Sequence, residues 1–163
     1  MEGGFHLLTG VNTKVKAKSV LNKSASFVAK NIFDGVADTC WNSDQGSPQY
    51  LLLDFEKIVT VFSIRMMFQG GFVGQNGTLE VGFTLETLQR AADLDCFEDS
   101  NDFQDAVLEK PSTGRFLKIN FNSSTDFYGR VTVYSLEVRG VVEDPPAVLE
   151  EVTSVKAMES DPA

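Results

Sequence analysis

The sequence predicts an all-β fold, a sandwich or jelly roll of short antiparallel strands. Three observations carry this prediction. Apolar and polar residues alternate with period two through most of the body, the signal of half-buried strands. Turn-forming clusters separate the runs, at Gly46-Ser47-Pro48, Gly70-Gly71, Asn76-Gly77 and Pro111-Ser112-Thr113-Gly114. Two further runs, "YLLLDF" and "RVTVYSLEVRG", are apolar on both faces, as befits strands in the middle of a sheet.

Taken in order, "TKVKAKSV" sets Lys14, Lys16 and Lys18 on one face and Val15 and Ala17 on the other. It reads as an edge strand whose lysines discourage pairing with a foreign sheet. One short helix is expected between Ser24 and Asp38. After "YLLLDF", the run "VFSIRMMF" points Phe62, Ile64, Met66 and Phe68 one way and Ser63 and Arg65 the other. In "LEVGFTLE", Leu79, Val81, Phe83 and Leu85 oppose Glu80, Gly82, Thr84 and Glu86. In "FLKINF", Leu117, Ile119 and Phe121 oppose Lys118 and Asn120. No internal repeat is present.

A chain of 163 residues is expected to form one domain with a tail. The net charge of −9 argues against a direct nucleic-acid partner and against an anionic membrane, since both need clustered Lys and Arg. Residues 143–163, opening near Pro145-Pro146 and rich in Glu and Asp, read as an acidic disordered tail in which "AVLEEVTSV" can form a helical turn. A second acidic stretch, "AADLDCFEDSNDFQD", reads first as a solvated loop and second as a cation or partner site. The N-terminus lacks the basic-then-apolar layout of a secretory signal, so the protein is expected to be intracellular and its sequons at Asn22, Asn76 and Asn122 unglycosylated.

The catalytic inventory is thin. His6 is the only histidine and lies in a segment without a strong strand or helix signal. Neither a histidine-dependent triad nor a multi-histidine metal site is therefore expected. Cys40 and Cys96 form no CxxC pair and read as small buried hydrophobes. Neither a P-loop nor a dinucleotide glycine fingerprint occurs, so an enzyme is not expected.

The segment "NIFDGVADTCWNSDQGSPQYLLLDF", with "FQGGF" and later "TDFYGRVTVYSLEVRG", resembles the discoidin-like family, the type C domains of coagulation factors five and eight. The resemblance covers about residues 15–141. It implies an eight-stranded β-sandwich, with residues 1–14 as an N-terminal extension, 15–142 as the domain and 143–163 as the tail. Loops at one end would form the recognition surface, bringing Asp44, Gln45, Gln69, Phe72, Asp126, Phe127, Tyr128 and Arg130 to its rim. Trp41 would anchor the base of the polar loop, its ring in the core and its N–H bonded. If buried, Arg130 should need a carboxylate, from Asp44 or Asp126. Many relatives hold a structural calcium near this end; the matching positions are Asp34, Asp38, Thr39 and Glu137. The terminal disulfide of extracellular members has no counterpart, which suits a reducing compartment.

Within that family, "TCWNSDQG", "FQGGF" and "DFYGRV" resemble an intracellular branch. This likeness implies a non-enzymatic, monomeric nuclear adaptor that binds a nuclear receptor transcription factor and represses transactivation by hindering its DNA binding. No Leu-x-x-Leu-Leu helix is present to make that contact, so docking would fall to the sandwich loops or to the basic strand around Lys14–Lys18. The alternative is a module that recognises a glycan or a protein segment through the loop end, with the rim aromatics as a stacking platform.

Overall fold

A computed structural model describes residues 5–143. The expected tail, apart from its first residue Glu143, lies outside the described residues. Eight strands form: β1 (His6–Leu7), β2 (Lys14–Ala17), β3 (Trp41–Asn42), β4 (Gln49–Phe68), β5 (Gly74–Gly82), β6 (Gln89–Leu94), β7 (Phe103–Ser124) and β8 (Thr132–Val142). Every pairing is antiparallel, in the order β1-β8-β4-β7-β5-β6, with β2 on β4 and β3 on β8. This is the all-β, eight-stranded architecture that the sequence and its resemblance implied. Among the described residues no helix is long and apolar enough to cross a membrane.

Two long strands make the sandwich by serving both layers. The first half of β4 pairs with β2 and the second half of β7; its second half pairs with β8 and the first half of β7. The bend in β4 falls at Glu56, whose φ of 60° is left-handed, and the ladder slips between Asp54 and Val59. Asp54 holds the bend: it accepts the Glu56 N–H at 2.8 Å and two bonds from the Arg115 guanidinium at 2.8 and 2.9 Å. Between the layers Leu51, Leu53, Leu79, Leu117, Ile119 and Phe121 face Ile64, Met66, Phe68, Val133, Leu136 and Val138, all buried. Phe68 meets Phe121 edge to face across the core, with ring centroids 5.8 Å apart.

Several expectations need correction. "YLLLDF" and "VFSIRMMF" are one bent strand, and a bulge between Val61 and Ser63 turns Phe62 out of the core to stack on Phe5 at 4.3 Å. Phe83 and Leu85 leave the core face and are exposed, because β5 ends at Gly82 and a 3-10 turn follows at Leu85–Thr87. The 111–114 "turn" lies inside β7, where the ladder steps from Val61–Ser112 to Ser63–Val107; of the intervening residues Leu108 stays in the core while Glu109, Lys110 and Pro111 bulge outward. The expected helix is three 3-10 turns, Leu21–Lys23, Ala25–Phe27 and Ala29–Phe33. Strand β6 had no clear alternation to announce it. Cys96 is exposed, because its neighbours Leu94 and Phe97 take the inward positions. The sheet also reaches into the expected N-terminal extension: His6 pairs with Gly140, and Thr9 is buried with its hydroxyl on the Leu136 carbonyl.

Candidate functional site

The polar loop Ser43–Pro48 is pinned from beneath by a small network. Trp41 is fully buried and its indole N–H donates to the Ser19 carbonyl at 2.8 Å. The Ser19 hydroxyl donates to Gln49 Oε1 at 2.8 Å and accepts the Asp44 N–H at 3.0 Å. Gln49, buried, turns its amide N–H to the Gly46 carbonyl at 2.9 Å. The large apolar ring therefore sits where it fixes the strand, and a polar side chain just beyond it fixes the loop. A buried amide left without these partners would be costly, which makes the loop geometry specific.

Two other loops close on this one. The Gly46 N–H donates to the Tyr128 carbonyl at 2.7 Å, and Ser43 exchanges bonds with Val131 at 2.9 Å in each direction. Gly129, at φ +85°, lies so near Gly46 and Ser47 that a Cβ would press on both. The Gln69 N–H donates to the Thr132 carbonyl at 3.0 Å, and the Val73 N–H to the Thr125 hydroxyl at 2.9 Å. Segments around residues 44, 70 and 127 thus meet at one end of the sandwich.

Asp126 organises that end. Its carboxylate accepts Arg130 Nε at 3.0 Å and Nη2 at 3.2 Å, together with the backbone N–H of Arg130 at 3.0 Å and of Tyr128 at 3.2 Å. The Arg130 hydrogen bonds hold the Asp126 carboxyl below the usual carboxylate range, even against partial desolvation, and raise the guanidinium in return. The carboxylate partner of Arg130 is therefore Asp126. Asp44 instead accepts the Asn22 N–H at 3.4 Å. The guanidinium lies over the Phe72 ring at 5.1 Å and near the Tyr128 ring at 5.8 Å.

The remaining rim residues differ in exposure. Phe72 and Gln69 are half-buried and Gln45 is exposed. Phe127 is 92 % exposed and Tyr128 54 %, their rings edge to face at 5.1 Å. Sequence reasoning missed Asp99 and Asn101, whose side chains accept the Gly71 and Gly70 N–H groups at 2.7 and 2.6 Å. The acidic loop therefore braces the glycine turn. The available signal was its density of Asp, Asn and Ser, the residues that cap backbone N–H groups.

The four positions matched to calcium ligands are engaged otherwise. Asp34 Oδ1 accepts the Val36 N–H at 2.8 Å and Oδ2 the Thr39 hydroxyl at 2.6 Å, closing its own turn. Glu137 accepts Arg139 at 2.8 Å. Asp38 is exposed. Among the described residues no three Asp, Glu, His or Cys side chains converge as an ion's cage, so this donor set, as arranged, does not fit a calcium ion that wants six to eight oxygens. The cysteines offer no activated nucleophile either: desolvation pushes both the Cys40 and Cys96 thiols up.

This two-layer antiparallel sheet with a converged loop end defines a β-sandwich fold. Among solved structures, the chain is similar to the family 32 carbohydrate-binding module of Clostridium perfringens NanJ in complex with galactose, with a TM-score of 0.70 at 17% identity, over 83% of this chain and 98% of that one. It is equally similar to chitosan-binding module 1 of a Paenibacillus chitosanase/glucanase, with a TM-score of 0.70 at 21% identity over the same shares. No protein-family model matches the chain. The sequence is 40% identical over 130 residues to the nuclear receptor 2C2-associated protein of Danio rerio, covering 79% of this chain and 92% of that protein. With the protein of the same name from Homo sapiens it is 38% identical over 136 residues, covering 83% and 96%. The chain belongs to the nuclear receptor 2C2-associated protein family.

Proposed function

We propose that this protein is a non-enzymatic, monomeric nuclear adaptor whose loop end docks a nuclear receptor and hinders the receptor's access to DNA. The observation that carries the site is the pair Phe127 and Tyr128, exposed on a loop that Asp126 and Arg130 hold rigid. An exposed aromatic pair on a pre-ordered loop loses little entropy on binding and fills an apolar pocket of a partner, the usual character of a hot spot. The relatives' name supports a receptor as that partner. An acidic domain docked beside a receptor's basic DNA-binding surface would repel the DNA phosphates, which accounts for interference without direct nucleic-acid binding.

A glycan reading has less support. The Arg130 and Asp126 side chains beside the aromatics are committed to each other, and Phe127 is exposed rather than walled in by neighbours. The test is capture of the receptor from nuclear extract by wild type and by Phe127→Ala with Tyr128→Ala, each with and without excess galactose. Receptor held by wild type, lost in the variant and indifferent to galactose supports the adaptor. Equal capture by both moves the interface off this loop, and release by galactose favours the glycan module.

A further inference from the structure

A second surface lies on the outer face of the layer that carries β2. Register lines up Lys16, Leu52, Lys118, Glu80 and Arg90 across five strands, and the next row is Lys14, Asp54, Phe116 and Gly82. Lys14, Val15, Lys16, Leu52, Asp54, Leu85 and Phe116 enclose a shallow, mainly apolar groove of about 170 Å³. The acids beside it are already neutralised: Asp54 by Arg115 at 2.8 Å and Glu56 by Lys14 at 3.0 Å. Glu80 keeps its charge, accepts the Asn120 amide at 2.6 Å and stands in register between two cations, Lys118 and Arg90. In a chain of net charge −9 this leaves a basic, partly apolar face around Lys16, Lys18 and Lys118. Among the described residues β2 pairs in the sheet with β4 alone, and it also lies against the 3-10 turn Ala29–Phe33.

We infer that residues 148–155 of this same chain dock on that face. Three observations converge on them. The last described residue, Glu143, donates its N–H to the Ile58 carbonyl at 3.0 Å, beside the bend of β4. Ile58 and Asp54, the residue opposite Lys14, flank the bend of β4 and lie at most about 13 Å apart, the length of four extended residues. Residues 144–147, extended, span about that distance. The following stretch, "VLEEVTSV", has Val148, Leu149, Val152 and Val155 at the spacing of one helical stripe, flanked by Glu150 and Glu151. Its charge also complements the face: residues 144–163 carry Asp144, Glu150, Glu151, Glu159 and Asp161 against Lys156. An apolar stripe laid on a sheet face is the common way a helix finds a second layer, and tethering makes the encounter intramolecular. The same lysines that repel a foreign basic edge accept an acidic segment.

The test is NMR on the full chain. In wild type the amide signals of residues 148–155 are expected to be dispersed, and the Leu52 and Leu85 methyl shifts to be independent of dilution. Leu149→Asp with Val152→Asp should move those methyl signals while the strand amides of residues 5–143 stay dispersed, the sign that the sandwich remains folded. Lys16→Glu with Lys118→Glu should collapse the 148–155 amides to random-coil shifts, and adding Glu150→Lys with Glu151→Lys should restore them. Methyl shifts identical in wild type and the Leu149/Val152 variant would overturn the inference. Shifts that vanish on dilution would also overturn it, by assigning the contact to a neighbouring molecule.

Discussion

At the residue scale, Asp126 does more than neutralise Arg130. It accepts two backbone N–H groups as well as the guanidinium fork, and its side chain is only 11% exposed. Asp126→Ala strands those donors and should lower stability by about 1–2 kcal/mol, seen as an earlier urea midpoint. Phe127→Ala, by contrast, removes an exposed ring and should leave the midpoint within about 0.5 kcal/mol of wild type. The pH dependence follows from Asp126 and Asp54, whose carboxyls are depressed by Arg130 and Arg115 respectively. Each binds its proton less readily folded than unfolded. Their stabilisation is therefore complete above the unfolded value of about 3.9 and is lost as pH falls through the lower folded values. Urea midpoints measured from pH 6 down to about pH 2 should fall in that acid window, and less so in Asp126→Asn. Trp41 is the residue the sequence announced most clearly, because a lone tryptophan beside a polar loop has few other uses. Gln49 went unseen because nothing local marks a glutamine as buried.

At the scale of elements, alternation revealed which segments are strands but not where they bend. A bulge leaves the local pattern intact on both sides and only exchanges the faces, so Phe62 was placed inside and lies outside. Pro111 and Gly114 looked like a turn because turn chemistry and a looped-out ladder use the same residues. Only the pairing partners, distant in sequence, distinguish them. The junction of β8 and β4 gives a direct check. A Cβ at Gly140 would overlap the Thr60 carbonyl oxygen, backbone that has no rotamer to escape into. Gly140→Ala should therefore cost about 1–3 kcal/mol and weaken amide protection in β1, β4 and β8 before that in β5 and β6.

For the whole molecule, the meeting of the segments around residues 44, 70 and 127 at one end was legible through the family resemblance, whose three spaced motifs map to three loops. The metal positions were carried by likeness alone, and the local chemistry of Asp34 serves its turn. A thermal melt with and without calcium should accordingly show the same midpoint; a rise would mean that Asp34, Asp38, Thr39 and Glu137 regroup around the ion. Contact between a receptor and the exposed aromatic pair at the loop end is the central proposal. The affinity of purified receptor for wild type, for Phe127→Ala and for Lys16→Ala measures this directly. Binding at least about tenfold weaker is expected for Phe127→Ala, roughly 1.4 kcal/mol, with unchanged thermal stability and with Lys16→Ala close to wild type. Equal affinity for wild type and Phe127→Ala, or a loss confined to Lys16→Ala, would contradict it.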